Sequence, residues 1–292
     1  MELNKEMDKY AVIGNPIAHS KSPQIHQYFA QQAEEKLMYE ALLSPLDEFT
    51  ETVTAFREGN GKGLNVTVPF KQEAFELADE LSDYAKNAGA VNTLVFRKDG
   101  TIYGTNTDGI GLVRDLVENH RSLIQGKRIL LLGAGGAVRG VMQPLLMQMP
   151  KQIFIANRTS ERATELVADM QGVVVEEATQ QSADTPCELS GGGFEDIQGE
   201  YDLIINGTAA SLQGIMPPIP ESCLASGVHC YDMMYGGRPT AFEYWCEDQG
   251  AAKVMNGLGM LVEQAAESFS IWRGKMPDTK PVLEAMRISW LG

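Results

Sequence analysis

The stretch ILLLGAGGA, residues 129–137, decides the fold class of this chain. Its first half is a continuous apolar run, as expected for a parallel strand that is covered on both faces. Its second half is a glycine-rich turn, and a helical pattern follows to about residue 148. Glycines between a strand and a helix let backbone amides approach a pyrophosphate at the helix N-terminus. The stretch therefore predicts a dinucleotide-binding α/β domain. Val138, at the third small position of the motif, predicts slightly wider packing of the helix on the strand.

The end of the next predicted strand indicates which dinucleotide binds. An NAD enzyme commonly carries an acidic residue at this tip, where it binds the ribose 2′-hydroxyl. Here residues 156–162 read ANRTSER, with Arg158 and Arg162 close together and no carboxylate at the tip. Guanidinium groups suit a 2′-phosphate, so the pattern favours NADP. The alternative is a plain helix start, capped by Thr159 or Ser160, with two solvated arginines.

Short β-type runs alternate with helical patterns on both sides of this stretch, which implies parallel sheets with right-handed crossovers. The predicted strands cover residues 10–14, 38–43, 63–68, 91–97, 101–104, 129–132, 153–156, 173–175, 201–206 and 228–232. The predicted helices cover residues 22–35, 46–57, 108–119, 160–170 and a segment from 257, with further helical segments up to about residue 87. The KDG triplet at 98–100 predicts a hairpin. The polar residues 176–200 predict a surface loop.

Length and charge narrow the classes of function. A chain of 292 residues suggests two domains. With 24 basic and 39 acidic side chains, the formal charge is -15, which argues against a nucleic-acid partner or an anionic membrane surface. Four cysteines without a CxxC pair and four dispersed histidines predict reduced thiols and no metal site. The polar first residues and the absence of a long apolar run lead us to expect a cytoplasmic protein.

The tetrapeptide SKSP at 20–23 has the pattern of a helix start. Pro23 suits the first helical position and Ser22 the N-cap. Two hydroxyls beside free backbone amides also form a carboxylate site, which the helix dipole favours. Spacing alone leaves both interpretations open.

The segment NVTVPFK at 65–71 alternates in polarity. Val66 and Val68 are predicted to face one side, with Asn65 and Thr67 on the other. Lys71 falls just past the strand, at the carboxyl end where open α/β sheets bind ligands. A solvated lysine is the alternative.

Further polar residues stand near the ends of other predicted strands, namely Asn92 and the run NTD at 106–108. A Lys–Asp pair formed by Lys71 and Asp108 in a cleft could carry proton transfer. Gln264 interrupts an apolar stripe on the last helical segment, where a buried amide needs hydrogen-bond partners. A backbone-satisfied glutamine and a ligand-binding one are equally compatible with this spacing.

Together these residues resemble the shikimate dehydrogenases over nearly the whole chain. The matching motifs, in the family's order, are GNPIAHSKSP (14–23), NVTVPFK (65–71), GAVNT (89–93), NTDG (106–109), GAGGA (133–137), NRT (157–159), YDMMY (231–235) and GLGMLVEQAA (257–266). The resemblance implies NADPH-dependent reduction of 3-dehydroshikimate to shikimate, on the route to chorismate and aromatic amino acids. It implies a substrate domain of mostly parallel sheet formed by residues 1–107 and 257–292, and a Rossmann-type NADP domain formed by 108–256, with a cleft between them. The small-molecule substrate and NADP are then the expected partners of a monomer or homodimer.

The resemblance also assigns roles to individual residues. Ser20 and Ser22 would bind the substrate carboxylate, with Tyr235 nearby. The ring hydroxyls and the reacting oxygen would be bound by Thr67, Lys71, Asn92, Asp108 and Gln264. Lys71 and Asp108 would be catalytic, and whether the lysine or the aspartate moves the proton stays open. The residues implied for NADP are Gly133, Ala134, Gly135, Gly136, Ala137, Asn157, Arg158, Thr159 and Arg162, with Met233 and Gly257 at the nicotinamide and Asp83 near the cofactor.

Two departures and two alternatives accompany the resemblance. The segment NGTAA at 206–210 stands where the family often has Ala-Thr-Ser-Ser or similar, and the 176–200 connection looks longer than usual. A quinate/shikimate dehydrogenase of the same fold would accept NAD and two substrates, but Asn157 and Arg158 argue against NAD. A non-catalytic ligand sensor of this fold would lack Lys71 or Asp108, and both are present.

Overall fold

A computed structural model describes residues 7–180, 186–208, 210 and 214–291. The chain forms two compact units. The first ends at Gly111 and resumes from Val262 to Arg287, whereas the second comprises Leu112–Leu261 with a short stretch from Ile288. The first unit is therefore discontinuous in sequence. The boundaries predicted after residues 107 and 256 stand a few residues before those of the units.

The first unit is built on a mixed sheet. Its strands are β1 Asp8–Gly14, β2 Leu37–Leu43, β3 Gly61–Val66, β4 Glu80–Leu81, β5 Thr93–Phe96 and β6 Ile102–Thr105. Within the described residues these six strands lie in the order β2-β1-β3-β5-β6-β4. The helices are α1 Ser22–Gln32, α2 Phe49–Glu58, α3 Lys71–Leu77, α4 Asp83–Ala88, α5 Asp108–Arg114, α9 Leu258–Arg273 and α10 Thr279–Leu291, and the units divide within α5, α9 and α10. The predicted hairpin is confirmed, because β5 and β6 pair antiparallel around residues 98–100.

Strand direction in this sheet brings distant parts of the chain to one edge. β1 and β3 are parallel, and β5 is antiparallel to both β3 and β6. The carboxyl ends of β1, β3 and β6 therefore share an edge with the amino end of β5. Ile13, Leu64 and Leu94 are fully buried and anchor these strands in the core.

The second unit is built on a parallel sheet. Its strands are β7 Arg128–Leu132, β8 Gln152–Ala156, β9 Glu188–Gly192, β10 Tyr201–Asn206, β11 Leu224–Asp232 and β12 Lys253–Asn256, and its helices are α6 Gly136–Leu146, α7 Ser160–Gln180 and α8 Ala241–Asp248. In the described part of the chain the six strands lie in the order β12-β11-β10-β7-β8-β9. Numbered within the unit, this is the 3-2-1-4-5-6 order of dinucleotide-binding folds. Among the helices that are described, none is long and apolar enough to cross a membrane.

Two predictions for residues 173–200 were wrong. The predicted strand at 173–175 belongs to α7, where Val173 and Val174 are buried together with Leu166 and Met170. This spacing follows the helix period, and helical packing overrides the weak strand preference of valine. The predicted loop at 176–200 holds the end of α7, strand β9 and a short 3₁₀ turn at Phe194–Asp196, whereas residues 181–185 lie outside the described part of the chain.

The predicted strand at 63–68 also ends earlier than expected. β3 stops at Val66, which is 2% exposed, whereas Val68 is 63% exposed. The alternation of residues 65–68 therefore does not continue as a sheet face. Pro69 follows, and a proline has no N–H with which to extend the ladder. Helix α8 and strand β12 were not predicted at all.

The course of α7 yields a stability prediction at Gly172, an exposed residue of the helix interior whose added Cβ would meet no atom within 4 Å. Gly172→Ala should raise the free energy of unfolding by about 0.5–1 kcal/mol, because alanine loses less backbone entropy in a helix. Chemical denaturation of the variant measures this change.

Gly126→Ala is the matched control, because Gly126 is also exposed but adopts φ +70°. This substitution should destabilise the protein, since alanine disfavours that conformation. A loss of stability in Gly172→Ala would instead favour the predicted break before residue 173.

Candidate active site

Lys71 and Asp108 form an ion pair at the edge of the first unit's sheet where β3 and β6 end. Lys71 begins α3 and Asp108 begins α5, so each side chain is set by the first turn of a helix that follows a strand. Lys71 Nζ lies 2.6 Å from Asp108 Oδ2, and the two side chains are 30% and 14% exposed. The pair is partly desolvated and still open to a ligand, as proton transfer requires.

Asn92 supplies the second polar contact of the aspartate. Its Nδ2 donates to Asp108 Oδ1 over 2.8 Å, and its Oδ1 accepts the backbone N–H of Thr107 over 3.0 Å. A backbone N–H can only donate and a carboxylate only accepts, which fixes the orientation of this carboxamide. Both oxygens of Asp108 are thus engaged, one by an ammonium and one by an amide.

Gln264 approaches the same cluster from α9. Its Oε1 lies 3.5 Å from Asn92 Nδ2 and 3.5 Å from Thr107 Oγ1. The Gln264 side chain is half-buried, so it leaves the cluster accessible and is not surrounded by apolar side chains alone. The structure therefore brings together four of the predicted residues: Lys71, Asn92, Asp108 and Gln264.

Ser20 and Ser22 lie in the loop after β1 and at the start of α1. Ser22 is the first residue of the helix, and Lys21 occupies the N-cap without a side-chain cap. The prediction that Ser22 caps the helix was therefore wrong. Instead the Ser22 N–H donates to Ser20 Oγ over 3.3 Å, and the Ser22 side chain forms a hydrogen bond with Tyr39. Both hydroxyls stand at the positive end of a helix dipole.

Thr67 lies in the turn after β3, beside the loop that carries the serines. Its N–H donates to Ile13 O over 3.0 Å, and the N–H of Asn15 donates to Val68 O over 3.1 Å. These bonds join the turns that follow β1 and β3. The predicted substrate residues of the first unit thus all stand at one edge of its sheet.

The glycine turn of the second unit joins β7 to α6, as predicted. Gly133 adopts φ +106°, which favours glycine, and its N–H donates to Ala156 O over 2.8 Å. Gly135 is the N-cap of α6, and a Cβ on Gly135 or Gly136 would meet no protein atom within 4 Å. The exposed residues Gly135, Gly136 and Ala137 therefore present open backbone at a helix N-terminus, beside the half-buried Ala134. This shape fits a dinucleotide pyrophosphate.

The predicted 2′-phosphate residues lie just past β8, the strand next to β7. Asn157 is held in place, because its N–H donates to Gly192 O over 3.0 Å and its Nδ2 donates to Thr159 O over 2.9 Å. Arg158 and Arg162 are exposed, and neither forms an ion pair with a carboxylate in the described part of the chain. Two uncommitted guanidinium groups beside the glycine turn fit an NADP phosphate.

Met233 and Gly257 are in direct contact. A Cβ on Gly257 would overlap the carbonyl oxygen of Met233, and the Gly257 N–H donates to Met234 O over 2.9 Å. Only glycine lets the segment after β11 approach this closely. Tyr235 ends the segment with 37% of its surface exposed, and partial burial raises the pKa of its hydroxyl.

Sequence reasoning missed the anchor of this segment. Asp232, fully buried at the end of β11, accepts the N–H of Met234 over 3.0 Å and the hydroxyl of Thr240 over 2.6 Å. The carboxylate thereby fixes both sides of the 233–240 loop. The motif YDMMY contains Asp232, but nothing in the sequence pairs it with Thr240.

Asp83 begins α4 in the first unit. Its side chain is 79% exposed, and its Oδ1 lies 3.1 Å from Lys86 Nζ in an i,i+3 pair. This contact is an ordinary surface pair, so the cofactor role of Asp83 stays a prediction.

Val138, which departs from the glycine motif, and Gly207, which departs from the family pattern, lie opposite each other in the second unit. Val138 is fully buried, and a Cβ on Gly207 would overlap its Cγ2 methyl. The larger side chain at 138 is therefore matched by the missing side chain at 207. Ala209, a further departure, lies outside the described residues.

Comparisons with known proteins agree with this arrangement. The family model described as shikimate dehydrogenase substrate binding domain matches residues 12–94, the model for shikimate / quinate 5-dehydrogenase matches 115–187, and the model for the shikimate 5'-dehydrogenase C-terminal domain matches 257–287. The chain is 52% identical over 283 residues to the shikimate dehydrogenase (NADP(+)) of Hahella chejuensis, covering 96% of this chain and 99% of that protein.

Solved structures give the same result. An Ael1 enzyme from Pseudomonas putida is 42% identical, with a TM-score of 0.83 over 95% of this chain and 97% of that one. Shikimate 5-dehydrogenase from Thermus thermophilus, solved in complex with NADP(H) and shikimate, is 29% identical, with a TM-score of 0.81 over 97% of this chain and 100% of that one. With matches of this identity and coverage, the chain belongs to the shikimate dehydrogenase family.

Proposed function

We propose that this chain catalyses the reversible, NADPH-dependent reduction of 3-dehydroshikimate to shikimate, a step toward chorismate and the aromatic amino acids. The observation that carries the proposal is the Lys71–Asp108 pair, 2.6 Å apart and held by Asn92, in a chain of this family. The pair offers an ammonium to an oxygen on which negative charge develops. A ligand sensor would not need this arrangement.

The proton in this reaction moves at the substrate ketone. NADPH, when bound, supplies a hydride to the carbonyl carbon. Lys71 donates a hydrogen bond to the carbonyl oxygen, stabilises its developing charge and transfers the proton that completes the alcohol. In the oxidation direction the neutral amine of Lys71 accepts that proton. Asp108 holds the amine in place and accepts a hydrogen bond from the neighbouring ring hydroxyl.

The remaining residues of the first unit orient the ring. Ser20 and Ser22 would bind the carboxylate, because two hydroxyls at a helix N-terminus favour an anion. Thr67, Asn92 and Gln264 would bind ring hydroxyls, since their polar atoms line the same sheet edge. Tyr235 of the second unit is the proposed additional partner of the carboxylate.

The second unit would hold NADP. The turn formed by residues 133–137 would bind the pyrophosphate through backbone amides at the start of α6. Arg158 and Arg162 would bind the 2′-phosphate, with Asn157 and Thr159 shaping the turn between them. Met233 and Gly257 would line the nicotinamide, and Asp83 is the further cofactor residue proposed from the first unit.

Domain roles, location and assembly complete the proposal. The first unit would be the substrate domain and the second unit the NADP domain, with boundaries a few residues after those predicted at 107/108 and 256/257. Four cysteines without a disulfide suit the cytoplasm, where thiols stay reduced. The enzyme works as a monomer or homodimer.

The proposal is tested by mixing purified protein with 3-dehydroshikimate and either NADPH or NADH. The absorbance of NADPH should fall, and shikimate should accumulate in equal amount. NADH should be consumed far more slowly at the same concentration. If the protein consumes neither NADPH nor NADH, the proposed function is rejected.

Lys71→Ala is the most direct mutational prediction. It should lower kcat by about 10²–10⁴-fold, the usual contribution of a positioned acid–base group. The Kd of NADPH, measured by fluorescence titration, should barely change, because Lys71 lies in the first unit. Lys98→Ala, which removes a charge from the exposed hairpin turn, serves as the control. A kcat of Lys71→Ala within a few-fold of wild type would remove Lys71 from the mechanism.

A second prediction concerns the arginines. The double variant Arg158→Ala with Arg162→Ala should weaken NADPH binding by roughly 30-fold, or about 2 kcal/mol, because charge-assisted bonds to the 2′-phosphate are lost. NADH has no such phosphate and should bind nearly unchanged. Titration of both cofactors into both proteins measures the difference. Equal weakening of NADPH and NADH would show that the arginines act structurally.

A third prediction separates shikimate from quinate. Quinate has a saturated ring carbon that bears the carboxylate and an extra hydroxyl. If Ser20 and Ser22 fix the carboxylate, this hydroxyl is buried without a partner at a cost of roughly 1–3 kcal/mol, and the altered ring pucker displaces the reacting carbon. With NADP, kcat/KM should therefore favour shikimate by at least about 10²-fold. Initial rates measured with shikimate and with quinate at one pH give the two kcat/KM values. Comparable kcat/KM values would favour a quinate/shikimate dehydrogenase.

A further inference from the structure

Behind the Lys71–Asp108 pair lies a group of buried polar side chains that the mechanism above does not use. Thr93 and Ser268 are fully buried, and Asn65 is 6% exposed. They come from β5, α9 and β3 respectively, three elements that are far apart in sequence. Buried polar groups that satisfy one another in this way fix a single arrangement of the side chains around them.

The group begins at Tyr39 on β2. The Tyr39 hydroxyl donates to Asn65 Oδ1 over 2.7 Å. Burial raises the pKa of Tyr39 well above its usual value, so this hydroxyl keeps its proton. Asn65 Nδ2 in turn donates to Ser268 Oγ over 2.9 Å and to Thr93 Oγ1 over 3.1 Å. An amide nitrogen can only donate, which sets the direction of these bonds.

Of the two hydroxyls, that of Thr93 continues this direction to Asn92. Thr93 Oγ1 lies 2.8 Å from Ser268 Oγ and donates to Asn92 Oδ1 over 2.8 Å. Ser268 donates to the carbonyl oxygen of Gln264, one helical turn earlier, over 3.0 Å. On its other side Asn92 donates to Asp108, whose second oxygen contacts Lys71. The bonds from Tyr39 to Asp108 thus all point the same way along one path.

We propose that Thr93 and Ser268 are positioning residues for the reaction: the Thr93 hydroxyl holds the Asn92 carboxamide against Asp108, the Ser268 hydroxyl contacts that of Thr93, and the carboxylate is thereby kept at Lys71. The inference rests on the proposed function. Neither residue touches substrate, because both are fully buried. Without the Thr93 hydroxyl, Asn92 Oδ1 loses its shortest hydrogen bond, of 2.8 Å, and keeps the N–H and the hydroxyl of Thr107, which donate to it over 3.0 Å and 3.2 Å. A displaced Asn92 releases Asp108, and small displacements of reacting groups reduce rates steeply.

If Thr93 only stabilised the fold, its loss would affect stability rather than kcat. Thr105 provides a control that separates the structural role from the positioning role. Thr105 is the cross-strand partner of Thr93 on β6 and is also buried, at 4% exposure. Its hydroxyl lies 2.8 Å from Ser82 Oγ rather than at Asn92. Thr105→Val and Thr93→Val therefore remove the same group from neighbouring positions of the same sheet. Only Thr93→Val alters the path to Asp108.

The experiment measures kcat, the KM of shikimate and of NADP, and the Tm for wild type, Thr93→Val, Thr93→Ser and Thr105→Val. Thr93→Val should lower kcat about tenfold or more and leave the KM of NADP unchanged. Thr93→Ser, which keeps the hydroxyl, should restore kcat to within a few-fold of wild type. Thr105→Val should keep wild-type kcat even if its Tm falls as far as that of Thr93→Val.

A kcat of Thr93→Val close to wild type would overturn the inference, and so would an equal loss of kcat in Thr105→Val. Ser268→Ala is the second variant, for the case that Thr93→Val does not fold, and it should also lower kcat without changing the KM of NADP. Unchanged kcat in Ser268→Ala would equally overturn the inference. The wild-type measurement keeps the two hypotheses apart, because an inactive wild type rejects the proposed function and with it the inference.

Discussion

The rest of the site depends on the two hydrogen bonds that the Asp108 carboxylate accepts. One of its oxygens accepts from the ammonium of Lys71 and the other from the amide of Asn92. Because a carboxylate offers acceptors only, both neighbours must present donors, and their orientations follow. The ammonium is thereby held in a partly buried position rather than in solvent. The acid–base chemistry proposed for Lys71 depends on this restraint.

The sheet of the first unit explains why these groups meet. Lys71 and Asp108 each begin a helix after a strand, and Asn92 stands just before β5. Since β5 is antiparallel to its neighbours, its amino end shares an edge with the carboxyl ends of β3 and β6. An all-parallel sheet would have placed Asn92 at the opposite edge. The hairpin after β5 is therefore as important to the site as the motifs themselves.

Most of the strands could be predicted from sequence, because apolar runs and turn residues mark them locally. The ILLL run and the glycine turn indicated β7 and the start of α6, and the KDG triplet indicated the β5–β6 hairpin. Residues 173–175 could not be assigned correctly, because three consecutive valines are typical of a strand. Their helical spacing from Leu166 and Met170 is evident only once all of these residues are known to lie in α7. Strand β9, with its sequence ELSGG, carries almost no local signal.

The residues of the site likewise include some that could be predicted from the sequence and some that could not. Lys71, Asn92 and Asp108 were predictable because they stand in motifs at strand ends. Thr93 and Ser268 were not, because the role proposed for them rests on a contact between residues 175 positions apart in sequence. The match between Val138 and Gly207 is likewise visible only in three dimensions, since each residue alone looks like an irregularity.

The central claim, that Asp108 acts through its hold on Lys71, is tested most directly by a double-mutant cycle on kcat. Lys71→Ala, Asp108→Asn and the double variant are compared with wild type under the same saturating conditions. If the two residues act as one unit, the double variant should be about as slow as the slower single variant, as groups that work together are strongly non-additive. If the two losses instead multiply, Asp108 and Lys71 act independently, and the account is wrong.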